Sequence, residues 1–409
     1  MRRPPPSLPK QQRGALLILL VIALGILAVI VFVGMLSSSD IQNQRDKITA
    51  AALAEAKVAI IGWSASRYST SGSYTPGQLP CPEDLAQIGT ANEGTAASNC
   101  TLPATGRLPW KTLKTGDIRD GYGEKLWYAI SAGFRASTIN SDTPANLTVD
   151  GIPGSAVAII FAPGLALTGQ TRPIPTSSSP PLVQNYLENE NSLASPPNNK
   201  FVTTGTPGTF NDHLLIISHK DLFSVVEKRV AGEVMNCLTI YSATNQNNQR
   251  YPWAAKLDSS APPNYTDATD VRFGRIPDSP FSNTQTSSGS TMDTNWPGAC
   301  KITSNSGWWL NWKEMVFYGV ADAYKPSNAT NLPMSPACPS CLKVNPPSAT
   351  ADKRVVVIVA GKMLPGQSRT INADKGNAAN YLEGGNESGI DMYTSGNTTP
   401  TFNDYLFYK

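Results

Sequence analysis

Residues 14–39 carry no charged side chain, and within them the run Ala15–Leu36 reads ALLILLVIALGILAVIVFVGML, 22 residues without a polar group. At 1.5 Å per residue this makes about 33 Å of helix, enough to cross the hydrocarbon core of a bilayer. Arg2, Arg3, Lys10 and Arg13 precede the run, and Ser37-Ser38-Ser39-Asp40 follows it. A basic flank stays on the cytoplasmic side, so residues 40–409 are expected to face outward. An ordinary secretory signal has a shorter apolar core and a small-residue cleavage site. Cleavage after Ser39 is the alternative to a retained helix.

The next stretch, Ile41–Arg67, is IQNQRDKITAAALAEAKVAIIGWSASR. It is rich in good helix formers and has no proline. Ile48, Ala51, Ala52, Val58 and Ala59 give it a modest apolar stripe. The membrane helix is therefore predicted to continue outward as one rod of about 50 residues.

Beyond the rod the chain repeats itself. Gly106-Arg107-Leu108-Pro109 is answered by Gly274-Arg275-Ile276-Pro277, and Trp127-Tyr128-Ala129-Ile130 by Phe317-Tyr318-Gly319-Val320. Val157–Phe161 matches Val355–Val359, and Gly169-Gln170-Thr171-Arg172 matches Gly366-Gln367-Ser368-Arg369. Asn185-Tyr186-Leu187-Glu188 matches Asn380-Tyr381-Leu382-Glu383. Thr209-Phe210-Asn211-Asp212 matches Thr401-Phe402-Asn403-Asp404. The second copy should open with a helix as the first does, and Asp221–Tyr241 places Leu222, Val226, Val230, Val234, Cys237 or Leu238, and Tyr241 on one face, with Asp221 as expected N-cap. The expected strands are 126–131, 157–162, 213–218, 315–321, 354–360 and 404–408. The class is thus α+β: a leader over 1–14, a transmembrane helix over 15–36, stalk and first head over 37–218, and a second head over 219–409. Each head is a helix on a small antiparallel sheet, with its own core. The second carries an insertion, 278–313.

The chain has six cysteines, all beyond the apolar run. An even count in an oxidising compartment points to disulfides. Cys81 and Cys100 share a loop of the first copy, and their bridge would contribute about 3 kcal/mol. Cys237 with Cys300 would clamp the insertion to the second helix, leaving Cys338-Pro339-Ser340-Cys341 as a local loop. A redox motif should open a helix, whereas this one sits among prolines; a zinc site from Cys237, Cys300, Cys338 and Cys341 is the other reading.

Little points to catalysis. The only histidines are His213 and His219. The repeat counterpart of His213 is Tyr405, which argues for packing. No nucleophile elbow, phosphate loop or metal-ligand spacing occurs. The repeated pairs Asn211-Asp212 and Asn403-Asp404 read as turn-closing residues before a strand, and Glu188 and Glu383 recur with them. No cofactor and no metal are expected; loop carboxylates Asp117, Asp120 and Asp212 leave calcium as a minor alternative. Trp308, Trp309 and Trp312 read mainly as core, with an exposed stacking surface for a ligand as the second reading. Charged residues make up 15% of the chain and the net charge is +3, so nucleic-acid binding has no electrostatic footprint.

Gln11-Gln12-Arg13-Gly14 before the apolar helix resembles the leader of type IV pilins and type II secretion pseudopilins. Asp120-Gly121-Tyr122-Gly123-Glu124-Lys125-Leu126-Trp127-Tyr128 is similar to a turn-and-strand stretch of the major pseudopilins. The resemblance implies cleavage by a prepilin peptidase between Gly14 and Ala15, and filament packing of the helix through Leu19, Gly25 and Gly34. It implies other pilins or pseudopilins as partners, and a bacterial inner-membrane location with the heads in the periplasm or, after assembly, at the cell surface. The family has Phe and Glu where this chain has Ala15 and Leu19. Without that Glu a subunit suits a filament end, so the expected role is a minor, tip or initiating component. The alternative is a permanently anchored binding protein outside any filament.

Overall fold

The computed structural model describes residues 12–67, 75–193, 198–260, 263–280, 291–300, 302, 307–327, 338–389 and 391–409, with side chains left out at 12–19, 28–38 and 349. Most of the leader and the side chains of Ala15 and Leu19 lie outside the described set, as do Gly34's surroundings and parts of the insertion.

A single helix, α1 (Gln12–Ala65), runs through both the apolar run and the stretch after it. Seven strands follow: β1 (Ala104–Arg107), β2 (Trp127–Ile130), β3 (Leu147–Val149), β4 (Ile152–Ala156), β5 (Ala158–Ala162), β6 (Lys200–Phe201) and β7 (His213–Ile217). Then come α2 (His219–Ser242), β8 (Phe273–Arg275), α3 (Gly307–Trp312), β9 (Val316–Val320), β10 (Leu342–Asn345), β11 (Ser348–Lys353), β12 (Val355–Val359), α4 (Asn372–Lys375), β13 (Met392–Thr394) and β14 (Tyr405–Tyr408). The fold is mixed α+β with small, mainly antiparallel sheets.

The same arrangement occurs twice. One four-stranded antiparallel sheet has the order β1-β2-β5-β7 and the other β8-β9-β12-β14. Each is accompanied by a three-stranded sheet, β4-β3-β6 or β11-β10-β13, in which an antiparallel pair gains a parallel third strand. Arg107 pairs with Trp127 as Arg275 pairs with Phe317.

Register corrects the sequence match by one residue. Trp127 lies opposite Phe161, and Phe317 opposite Ile358. The counterpart of Val355–Val359 is therefore Ala158–Ala162 and not Val157–Phe161. The predicted strand 157–162 is interrupted at its start, because β4 ends at Ala156 and β5 begins at Ala158. The N-cap of α2 is Ser218, not Asp221. Asp221 instead closes the capping box, its carboxylate accepting from the Ser218 N–H at 2.9 Å, which satisfies two helix-end donors reciprocally.

Two independent cores were expected, but the buried apolar side chains form one continuous cluster. It takes in Leu53, Ala56 and Ile60 of α1, both four-stranded sheets, α2 and the insertion residues Met292, Trp296 and Ile302. The physical reason is α2, which lies on β12 and β14 while also packing against α1. A smaller cluster around Trp127, Phe161 and Phe201 fills the opposite face of the first sheet. Polar contacts cross the same seam. Lys57 donates to Asp221 at 2.9 Å, Arg369 reaches Asp142 at 2.9 Å, and the buried Ser141 hydroxyl donates to Glu227 at 2.8 Å.

Candidate functional site

Among the described residues, the inner part of α1 is uncovered from Leu20 to Leu27. Leu20, Val21, Ile22, Leu24, Ile26 and Leu27 are all more than half exposed, and a side chain built on Gly25 would meet nothing within 4 Å. Burying each such side chain is worth about 1.5–3 kcal/mol, so this length of helix needs lipid or other helices around it. The outer stretch Ser39–Ala65 is also long and apolar enough to span a membrane. Its Ala52, Leu53, Ala56 and Ile60 are buried, and its Lys57 is paired with Asp221. It is a core helix of the folded region.

The Asp120–Lys125 turn fastens that region to the rod. The Asp120 carboxylate accepts from the N–H groups of Tyr122 and Glu124, each at 2.9 Å, and from Gly164 at 2.9 Å. Gly121 N–H donates to Thr49 of α1 at 3.0 Å, and Tyr122 Oη to Gln42 at 2.8 Å. A Cβ on Gly121 would stand 2.2 Å from the Arg45 carbonyl oxygen, so only glycine permits this approach. Asp117 pairs with Arg119 at 2.6 Å. Both carboxylates thus have protein partners in this structure. Among the described residues no group of three or more His, Cys, Asp or Glu side chains is arranged to hold a metal.

The repeated Asn-Asp pairs lie in two matching polar knots. In the first, Asp212 accepts from the Glu188 N–H at 3.0 Å and from Asn191 Nδ2 at 2.9 Å. Glu188 in turn accepts from Gln170 at 2.6 Å and from the Asn211 N–H at 3.0 Å. In the second, Asp404 accepts from Glu383 N–H at 3.0 Å and Asn386 at 2.8 Å. Glu383 accepts from Gln367 and the Asn403 N–H, each at 2.9 Å. Arg172 and Arg369 close the knots on main-chain carbonyls of Asn185 and Asn380. Burial and the neighbouring Glu188 carboxylate hold Asp212 well above the usual carboxylate range, and burial and Glu383 do the same to Asp404. Asn191 and Asn386 were missed from sequence; each stands three residues after its glutamate, a spacing that could have revealed them.

The two strand-end arginines differ. Arg275 is buried, stacks on Phe317 at 3.7 Å and Tyr381 at 4.3 Å, and donates to the main-chain carbonyls of Glu314 and, at 3.4 Å, Lys375. The Glu314 carboxylate lies there too, held by Lys375 at 2.9 Å and by the Tyr381 hydroxyl. Arg107 is equally buried, yet its Nε has no hydrogen-bond partner. It lies in the wall of an open groove of about 750 Å³ with Trp110, Tyr186 and Arg172.

Trp308, Trp309 and Trp312 are fully buried, in agreement with their main reading as core and against the second reading of an exposed ligand surface. On the short α3 they share the inward face, while Leu310 points out and is 53% exposed. Trp312 packs near Phe223 at 6.2 Å. His213 is exposed rather than packed. His219 stacks on Phe223 at 4.3 Å, and its burial lowers its pKa to about 4, keeping it neutral. Disulfides join Cys81 to Cys100 and Cys338 to Cys341. Cys237 and Cys300 lie buried in the shared core.

No protein family, curated protein or solved structure matches this chain.

Proposed function

We propose that the chain is a membrane-anchored, pilin- or pseudopilin-like subunit that carries two tandem heads and serves at the tip or in the initiation of a filament. In this reading a prepilin peptidase removes residues 1–14, the helix from Ala15 packs among other subunit helices in or beyond the inner membrane, and the folded region faces outward. The observation that carries the reading is the division of α1: one uninterrupted helix on which Leu20, Val21, Ile22, Leu24, Ile26 and Leu27 are more than half exposed, while Ala52, Leu53, Ala56 and Ile60 further out are buried against the folded region. A plain tether has no need of such rigid continuity, whereas helix-against-helix assembly does. The doubled sheet order supports two heads of common descent, and Leu19 in place of an acid suits a terminal position.

The test is filament shear. Cells producing the chain should release it with sheared filaments, and Gly14→Lys should leave it wholly in the membrane fraction. Retention in the membrane fraction by both forms would overturn the filament role and leave a permanent anchor.

A further inference from the structure

The groove beside Arg107 has a counterpart in the second half that shows what kind of group fits there. Three of its cations are matched by its three acids. Lys125 pairs with Glu93, Arg119 with Asp117 at 2.6 Å, and Arg172 with Glu124 at 3.2 Å. Arg107 is the cation left over: it is 5% exposed, its Nε is buried without a hydrogen-bond partner, and no carboxylate among the described residues forms an ion pair with it. Glu83 lies behind it, outside ion-pair distance: its Oε1 accepts from the Gly94 N–H at 2.8 Å, its Oε2 is buried without a hydrogen-bond partner, and burial raises its pKa against the pull of the Lys125 and Arg107 charges. An arginine held this deeply without an acceptor is costly unless a ligand supplies one.

At the matching place the second half supplies the acceptor itself. Arg275 is met by two peptide carbonyls and stands beside a glutamate carboxylate that Tyr381 and Lys375 hold in place. The chain that does this leaves Arg369 and folds through α4 before returning to Asn380. In the first half the corresponding chain leaves Arg172, and its Pro173, Ile174 and Pro175 form the rim of the groove, with Ile174 91% exposed. Tyr186 and Trp110 supply aromatic walls. One half is plugged by its own polypeptide; the other is open.

We propose that this groove binds an acidic segment of another protein, with Arg107 taking a side-chain carboxylate and Tyr186 and Trp110 flanking an apolar neighbour. The proposal does not depend on whether α1 enters a filament.

The test is fluorescence anisotropy on the full chain in detergent micelles. The probes are a fluorescein-labelled peptide Gly-Ser-Tyr-Glu-Tyr-Ser-Gly and the same peptide with Gln for Glu. The Glu peptide should bind saturably and the Gln peptide at least tenfold more weakly. Arg107→Gln should weaken the Glu peptide at least tenfold. Because a buried substitution can perturb folding, Ile174→Asp is the second variant: it lies on the exposed rim and should weaken the same peptide several-fold by like-charge repulsion. Equal affinity for the two peptides, or an unchanged affinity in Ile174→Asp, would overturn the proposal. Binding of free glucuronic acid without binding of the peptide would overturn it in favour of acidic sugars.

Discussion

The two halves agree closely in one place and diverge in another. The Asp212 and Asp404 knots have the same donors, the same acceptors and the same closing arginines. The arginines that end β1 and β8 have the same strand position and unlike surroundings: Arg275 is covered by Glu314 and Lys375, whereas Arg107 faces an open groove. Parts that recur unchanged hold the strands of each half in place. The part that changed is where the halves have room to differ in what they bind.

The largest way to break this comparison is to strike what the halves share. Trp312→Ala should cost about 3–5 kcal/mol, the usual range for an aromatic removed from a core. Because the core is continuous, denaturant unfolding of the variant should remain one transition for both halves. Loss of the second half alone, with the region around Cys81 and Cys100 still resistant to protease, would show two separable units. Next come the knots. Asp212→Ala and Asp404→Ala each strand buried donors and should each cost about 1–3 kcal/mol, by similar amounts in chemical denaturation. A strong effect at only one would mean that the knots are not equivalent scaffolds. Gly121→Ala should cost about 1–3 kcal/mol by pushing the turn off Arg45, and protease should then cut between the rod and the first sheet more readily.

The smallest effect is that of pH. Burial pushes Glu227 up to about 8, and the nearby Asp142 adds to the rise. A carboxyl whose folded pKa exceeds its unfolded value favours the folded state when protonated. Its contribution is complete below about 4.5 and is lost as pH rises towards 8. Asp212 and Asp404 act in the same direction. Thermal unfolding midpoints should therefore be higher at pH 5 than at pH 8, and Glu227→Gln should flatten part of that slope.

Much of the architecture was readable because it rests on local pattern. The apolar run and its alanine-rich continuation give α1, and the Val, Ile and aromatic clusters give the central strands. The one-residue slip between Val157–Phe161 and Val355–Val359 has a physical cause. β5 and β12 are buried on both faces, so neither has the polar alternation that marks a face, and only pairing fixes register. The short strands of the three-stranded sheets include Ile152-Pro153-Gly154 and Ser348–Lys353, which lack a strand signature. The shared core was invisible for another reason: contacts such as Ser141 to Glu227 and Asp142 to Arg369 join residues far apart in the chain. The tryptophans were ambiguous until α3 showed which face each one takes. The open groove was legible only as the repeated Gly-Arg; its emptiness depends on where Lys375 and Ile174 end up.

The most direct test of the functional account is the mature amino terminus, read by intact mass with prepilin peptidase present and absent. The account predicts peptidase-dependent loss of residues 1–14, so that the chain begins at Ala15. A Met1 terminus that persists in the presence of active peptidase would contradict it.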